Sequence, residues 1–512
     1  MSHLRNAIVG LLLTATLALL LSPSAWAVPS YSRRYGVDCS TCHTVWGALN
    51  GAGVTFRLSG YRAINGRELK PISEDIELGN GALTIPTTLP FSFVTGVGYD
   101  WRSEERTSNG NPNTPGGLPA GTKTTQKASS LALEDASIFL TGSFGKHLSA
   151  FVEFPMYETK AWEFTPTGQA EANSATNSGA TGGRQFQFNA ENPTFEVAKF
   201  WWNDLVGDSN SMNLLGGITH LPLAYPSGKV RLSVNQFLIY ERRALDLISP
   251  SSVSTSFGEE SLFRLGEPQI IVELNGILTF GNALTDTGKR ETFWNEYHIG
   301  VSNGSNGKPD NNTTKDLYAR YVMRWYNQSL GVFGYSSADT YDDQFRTQNA
   351  VGGGNLGIMS GAQSQNKMTR TGLDFTLSLA PMGIPVSLDN QFMWNSESNP
   401  TGFDQKFNWK GGFDQLNWLL SRTDVLYARY DWIKGDAFND TNTTMTVNGA
   451  PVTGHTAATP QEYDIVAGYQ HLIQQNVKFI LELRRHEFKD TSQPTTAKLA
   501  DTGGTARFMI GF

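Results

Sequence analysis

Two thiols and an imidazole stand together at Cys39-Ser40-Thr41-Cys42-His43. This is the C-x-x-C-H spacing of c-type haem attachment. At this spacing both thiols can form thioethers with the haem vinyl groups, and the adjacent imidazole can reach the iron as an axial ligand. The chain has 2 cysteines in all, and both lie here. A bare C-x-x-C would also suit a redox dithiol or half of a zinc site. The adjacent His and the lack of further Cys favour one covalently attached haem c. Cys39, Cys42 and His43 are therefore the expected cofactor-binding residues, with His43 on the iron; no catalytic residue is assigned.

The elements that would position this motif follow in chain order. Residues 1–27 read as a secretory signal peptide: Arg5 in the n-region, an apolar run from Ala7 to Leu21, and Ala25-Trp26-Ala27 as a small-x-small cleavage site. Export fits covalent haem attachment. Residues 28–85 form a small, mostly irregular and α monohaem cytochrome c-like segment, too short for a generous core of its own. Its apolar content is mainly aromatic, at Tyr31, Tyr35, Trp46, Phe56 and Tyr61, rings that would pack on a porphyrin or on one another. Val54, Leu58 and Tyr61 fall at helical spacing. Between Thr44 and Lys146 there is no Met and no second His, so a sixth iron ligand, if there is one, comes from an unusual group or from the rest of the chain.

Residues 86–512 contain no apolar run of transmembrane-helix length, and the mean hydropathy of the whole chain is −0.31. They alternate instead. In 505–512, Ala506, Phe508, Ile510 and Phe512 share a face opposite Arg507; in 317–326, Leu317, Ala319, Tyr321, Met323 and Trp325 oppose Arg320 and Arg324; in 425–432, Leu426, Ala428, Tyr430 and Trp432 oppose Arg429 and Asp431. This is how lipid-facing, water-lined strands read, and the fold class is all-β: a transmembrane antiparallel β-barrel of about 16 strands. The strands fall near 89–100, 131–143, 147–157, 194–205, 212–221, 268–281, 292–302 and 317–326. The second half continues at 329–338, 371–380, 384–394, 407–418, 423–433, 461–471, 476–488 and 505–512. Long polar connections (101–130, 158–193, 222–267, 339–370, 434–460) alternate with short ones, the external-loop and periplasmic-turn pattern of outer-membrane barrels. The span 222–267 is long enough to fold into the lumen as a constriction, and Asp339, Asp342 and Asp343 read as a solvated acidic loop rather than a cation site. The haem segment then lies at the periplasmic end or plugs the lumen. Candidate sixth ligands sort by strand parity. His147, Met382 and His471 lie near periplasmic turns, His298 beside Glu296 faces the lumen at mid-height, and His220, His486 and His455 lie toward the outside. Met156 points to lipid.

Residues 29–61, from Pro29-Ser30-Tyr31-Ser32-Arg33 through the motif to Leu49-Asn50, Phe56-Arg57 and Gly60-Tyr61, resemble the haem segment of the fused monohaem cytochrome–porins, the outer-membrane iron oxidases of Fe(II)-oxidising bacteria and their relatives. The order of signal peptide, single-haem segment and barrel is similar as well. Where a Phe-Pro pair commonly follows the haem His in that family, this chain has Trp46-Gly47. The resemblance implies an outer-membrane electron-transfer protein, an Fe(II)-oxidising cytochrome if it extends to activity. Its partners would be outer-membrane lipid, extracellular Fe(II) or another electron donor, and a periplasmic cytochrome c or similar carrier. The alternative is a solute-selective porin with the haem segment as plug or regulator, its lumen charges Arg320, Arg324, Arg429, Glu482 and Arg484 selecting the solute. A formal net charge of −7 with no basic stripe argues against nucleic acid as a partner. The motif carries a first prediction: in a host that attaches c-type haem, the purified chain retains one haem through denaturing electrophoresis and haem staining, and Cys39→Ala/Cys42→Ala loses it while the barrel still folds.

Overall fold

The computed structural model describes residues 29–511 apart from 46–47, 65–66, 80–82, 108–121, 146, 158–195, 208–209, 228–229, 249–262, 279–292, 307–313, 326–327, 342–363, 402–403, 442–443, 448–449, 454–456, 475 and 491–497. The signal peptide, Trp46-Gly47, His455, and Asp342 with Asp343 lie outside the described residues.

Sixteen antiparallel strands form a closed barrel. They are β1 (Phe91–Thr107), β2 (Lys123–Ser143), β3 (Leu148–Tyr157), β4 (Val197–Trp202), β5 (Asn213–Thr219), β6 (Gln269–Leu278), β7 (Phe293–Ser302) and β8 (Asp316–Trp325). The circuit continues with β9 (Gln328–Tyr341), β10 (Ser364–Ser378), β11 (Val386–Glu397), β12 (Phe407–Leu419), β13 (Asp424–Gly435), β14 (Pro460–Gln474), β15 (Val477–Asp490) and β16 (Lys498–Gly511). Each strand pairs with its sequence neighbours, and β16 closes on β1 from Gly511↔Val94 to Lys498↔Thr107.

Alternation sorts the two faces as expected. Along β8 the run from Tyr318 through Arg320 to Val322 points inward, while Leu317 and Trp325 stay exposed. Exposed Ile299, Val332, Leu373, Leu416, Ile465 and Leu481 belong to an outer apolar belt. Aromatic residues edge it, with Trp202, Phe293, Trp325 and Trp418 toward the short turns and Trp101, Trp394 and Tyr430 toward the long loops, the girdle arrangement of membrane barrels. Met156 is outward, 51% exposed. All the strands placed from sequence have counterparts. Several run further on the long-loop side, and β1 and β2 take in much of 101–130, which alternation reads as loop. Beyond the bilayer the outer face meets water, so the ladder continues after the apolar signal has faded.

The 222–267 connection enters the lumen as its length allows, and with the wall it builds an apolar core that the strand pattern does not announce. The connection after β5 turns inward and forms α4 (Leu238–Glu241) and α5 (Ala244–Ile248) inside the barrel. Phe237 stacks on Phe413 at 3.7 Å, and Leu238, Ile239 and Tyr240 are almost wholly buried. Lumen charges serve this inner loop. Arg429 donates to the carbonyls of Asn235 (2.8 Å) and Gln236 (3.1 Å), and Glu482 accepts from the Val234 amide (2.8 Å). Arg242 pairs with Glu462 at 2.7 Å, and Arg484 with Asp464 at 2.6 Å. The charges that would select a solute are thus engaged within the protein.

The belt and the lumen respond differently to charge. Leu481→Arg, on the outward face, is expected to lower folding stability in phospholipid vesicles by ~2–4 kcal/mol, read by denaturant titration of the heat-modifiable gel shift.

Candidate functional site

The described residues of 29–64 sit within the barrel at its short-turn end. Three helices carry the motif: α1 (Pro29–Tyr35), α2 (Cys39–Cys42) and α3 (Gly51–Leu58). Gly36, at φ 63°, turns the chain between α1 and α2. α2 is a single turn that ends as His43 goes extended (φ −121°, ψ 139°) and pairs with Leu49. The chain then doubles back into α3, and Asn50 fastens the two helices together. Its side chain caps α3 by accepting from the Gly53 amide (3.0 Å), donates to the carbonyl of Thr41 (3.1 Å), and its own amide donates to the Cys42 carbonyl (3.0 Å). Gly53 is required at this junction, because a Cβ there would lie 2.1 Å from the Cys42 carbonyl oxygen. Tyr61 lies beyond α3 with φ 62°, so the helical spacing of Val54, Leu58 and Tyr61 does not carry through to the ring.

Aromatic packing seats the segment against the wall. Tyr31 stacks on Tyr61 at 4.9 Å and meets Phe56 edge-on at 5.0 Å; Tyr61 in turn stacks on Phe151 at 5.6 Å and meets Trp201 at 5.4 Å. Each such pair contributes about 0.5–1.5 kcal/mol beyond area burial. Polar ties accompany them: Arg62 to Asp204 (2.7 Å), Ser30 to Thr141 (2.9 Å), and Asn213 donating to the Leu58 carbonyl (3.2 Å). Gly60, at φ 63°, lets the backbone approach Asn203 and Ser149 on the wall.

Between the segment, the wall and the inner loop lies a cavity of about 360 Å³. Cys39, Cys42, His43, Tyr31, Phe56 and Arg57 line it from the segment, Lys199, Glu273, Glu296 and His298 from the wall, and Leu221 to Ala224 from the inner loop. Cys39 and Cys42 are thiols with no disulfide between them, and burial raises the Cys42 thiol to about 11. Burial, reinforced by nearby Lys478, lowers His43 to about 4, which leaves a neutral imidazole, the form that ligates metals. The Ala48 backbone lies against the ring and acts in the opposite direction. Two thiols, a neutral imidazole and a ring-lined hollow fit a covalently held porphyrin.

The lining also sorts the candidate distal ligands. His298 and His220 reach the cavity. His298 Nδ1 lies 2.8 Å from Glu273 Oε1, and Tyr318 donates to the other Glu273 oxygen at 2.9 Å. His147 contacts the Asn203 carbonyl and His471 contacts Asp424, both by short turns. Met382 is 77% exposed, and His486 is enclosed between Glu462 and Asp464. Asn50, Arg57 and Lys199 escaped sequence reasoning as site residues. Strand parity places Lys199 inward opposite Phe200, but only the fold brings it to the motif. Gly53→Ala is expected to push α3 off α2 and abolish haem retention on denaturing gels, with the folded-barrel gel shift unchanged.

No family model matches the chain, and no curated protein does. Similar solved structures are outer-membrane proteins. OmpT of Vibrio cholerae is 9% identical with a TM-score of 0.40, over 85% of this chain and 100% of its own. The channel DcaP of Acinetobacter baumannii is 9% identical with a TM-score of 0.41, over 86% of this chain and 100% of its own. OmpF of Salmonella typhi, in complex with daunomycin, is 12% identical with a TM-score of 0.35, over 84% of this chain and 100% of its own. At these scores the barrel assignment stands on this chain's own strand register.

Proposed function

We propose that this chain is an outer-membrane protein that carries electrons from an extracellular donor to a periplasmic carrier through one haem c held by Cys39, Cys42 and His43. The observation that carries this reading is the placement of the C-x-x-C-H turn: it opens into a cavity enclosed by the barrel wall. A haem bound there supplies reversible one-electron exchange. Cys39 and Cys42 anchor it, neutral His43 is available to the iron, and Tyr31, Phe56 and Tyr61 exclude water on the side of the segment. The hydrocarbon layer is ~30 Å thick, and raising the motif into the lumen shortens the distance a donor's electron has to cover. The donor named by the sequence resemblance is ferrous iron.

The barrel itself favours a second reading, a solute channel, since a closed sheet with an apolar outer belt is the porin architecture. In that reading the segment of residues 29–64 and the inner loop are plugs that shift to open the lumen. Anaerobic rapid mixing separates the two. Haem-loaded oxidised protein mixed with Fe(II) is expected to be reduced at a rate proportional to Fe(II), and His43→Ala to lose this with the barrel intact. Reduction by dithionite but not by Fe(II) would exclude iron as donor. Single-channel conductance that is unchanged without haem would favour the channel.

A further inference from the structure

Two cations face the cavity from opposite sides without an acceptor. Arg57, in the last turn of α3, lines it from the segment, and Lys199, on β4, lines it from the wall. Among the described residues neither side chain makes a hydrogen bond or an ion pair. Lys199 Nζ rests over the rings of Trp201 (4.9 Å) and Phe151 (5.4 Å).

The acids nearby are committed elsewhere. Glu296 gives both oxygens to Arg324, each at 3.1 Å, and Glu273 takes His298, Asn275 and Tyr318. Asp374 holds Arg320 at 2.8 Å. Glu296 faces Arg57, and Glu153 and Glu273 face Lys199, at longer range than an ion pair, while Arg320 and Arg324 repel Arg57 and Arg57 repels Lys199. Burial lowers Arg57 as well. A guanidinium that faces such a cavity is completed by water or by an anion, and its planar fork matches a carboxylate.

We infer that Arg57 and Lys199 form a carboxylate clamp that bridges segment and wall, and that its occupant is the propionate edge of the haem attached at Cys39 and Cys42. This rests on the haem reading above. The same chemistry would hold a free carboxylate solute, the other source. Carboxylates held here tie the segment to β4, so the clamp fixes the orientation of the ring and the position of the segment together.

The test compares full-length wild type with Arg57→Gln, Arg57→Lys and Lys199→Met, each checked for the folded-barrel gel shift. Covalent haem content is expected to be unchanged, since the thioethers are intact. The midpoint potential is expected to fall in Arg57→Gln and Lys199→Met, because a positive charge beside the ring favours the reduced form. It should also become pH-dependent between about pH 5 and 8, as a carboxylate without its cation titrates there by desolvation; Arg57→Lys should restore the wild-type profile. Haem-loaded Arg57→Gln and Lys199→Met with wild-type potential and pH profile would overturn the clamp. If wild type acquires no haem, the haem reading fails by itself, and calorimetry with succinate on that haem-free protein decides the clamp. Binding lost in Arg57→Gln keeps the site with a solute as occupant, and no binding overturns it.

Discussion

Closure of the sheet is the constraint on which everything else rests. A strand edge left open in hydrocarbon exposes unpaired amides and carbonyls, each costing several kcal/mol. The β16–β1 ladder removes that edge along its whole length, Gly511↔Val94 to Lys498↔Thr107. Once the sheet is closed, period-two alternation has one consequence: every second side chain faces a confined interior and the others face lipid. The interior is then a space to be filled or left to water.

This chain fills it. The inner loop and the N-terminal segment enter from different points in the sequence and meet in one core. That core runs from Tyr35 and Phe56 in the segment, through Leu221 and Phe237, to Phe413 and Trp409 on the wall. Burial of an aromatic or aliphatic side chain is worth about 1.5–3 kcal/mol. Such a core gives a segment too small to stabilise itself a surface on which to fold. The same packing leaves lumen cations in a poor dielectric, which explains why Arg429, Arg484 and Arg320 each have a carboxylate or carbonyl partner. Arg57 and Lys199 stand apart from that pattern, and both face the cavity of the thiol motif.

The strands were legible because each is a local object. Leu426 and Tyr430 opposite Arg429 and Asp431 state their two faces within eight residues, and the structure places those faces as the alternation implies. The extensions of β1, β2, β9 and β10 were not legible, since above the lipid neither face is required to be apolar. The extent of the apolar filling was not legible either. Inward Tyr318, Phe333, Met393 and Phe413 interrupt the polar face, but read strand by strand they look like isolated exceptions.

The sequence by itself determined the covalent chemistry available at Cys39, Cys42 and His43 and the alternation of a barrel, because both depend on residues only a few positions apart. Only the tertiary structure decided that the motif opens into a cavity inside that barrel, that Asn50 and Gly53 hold its two helices at contact distance, and that Arg57 and Lys199 meet across it. Those relations join residues up to hundreds of positions apart. They follow from how the inner loop and the N-terminal segment share one confined volume, which no local pattern encodes.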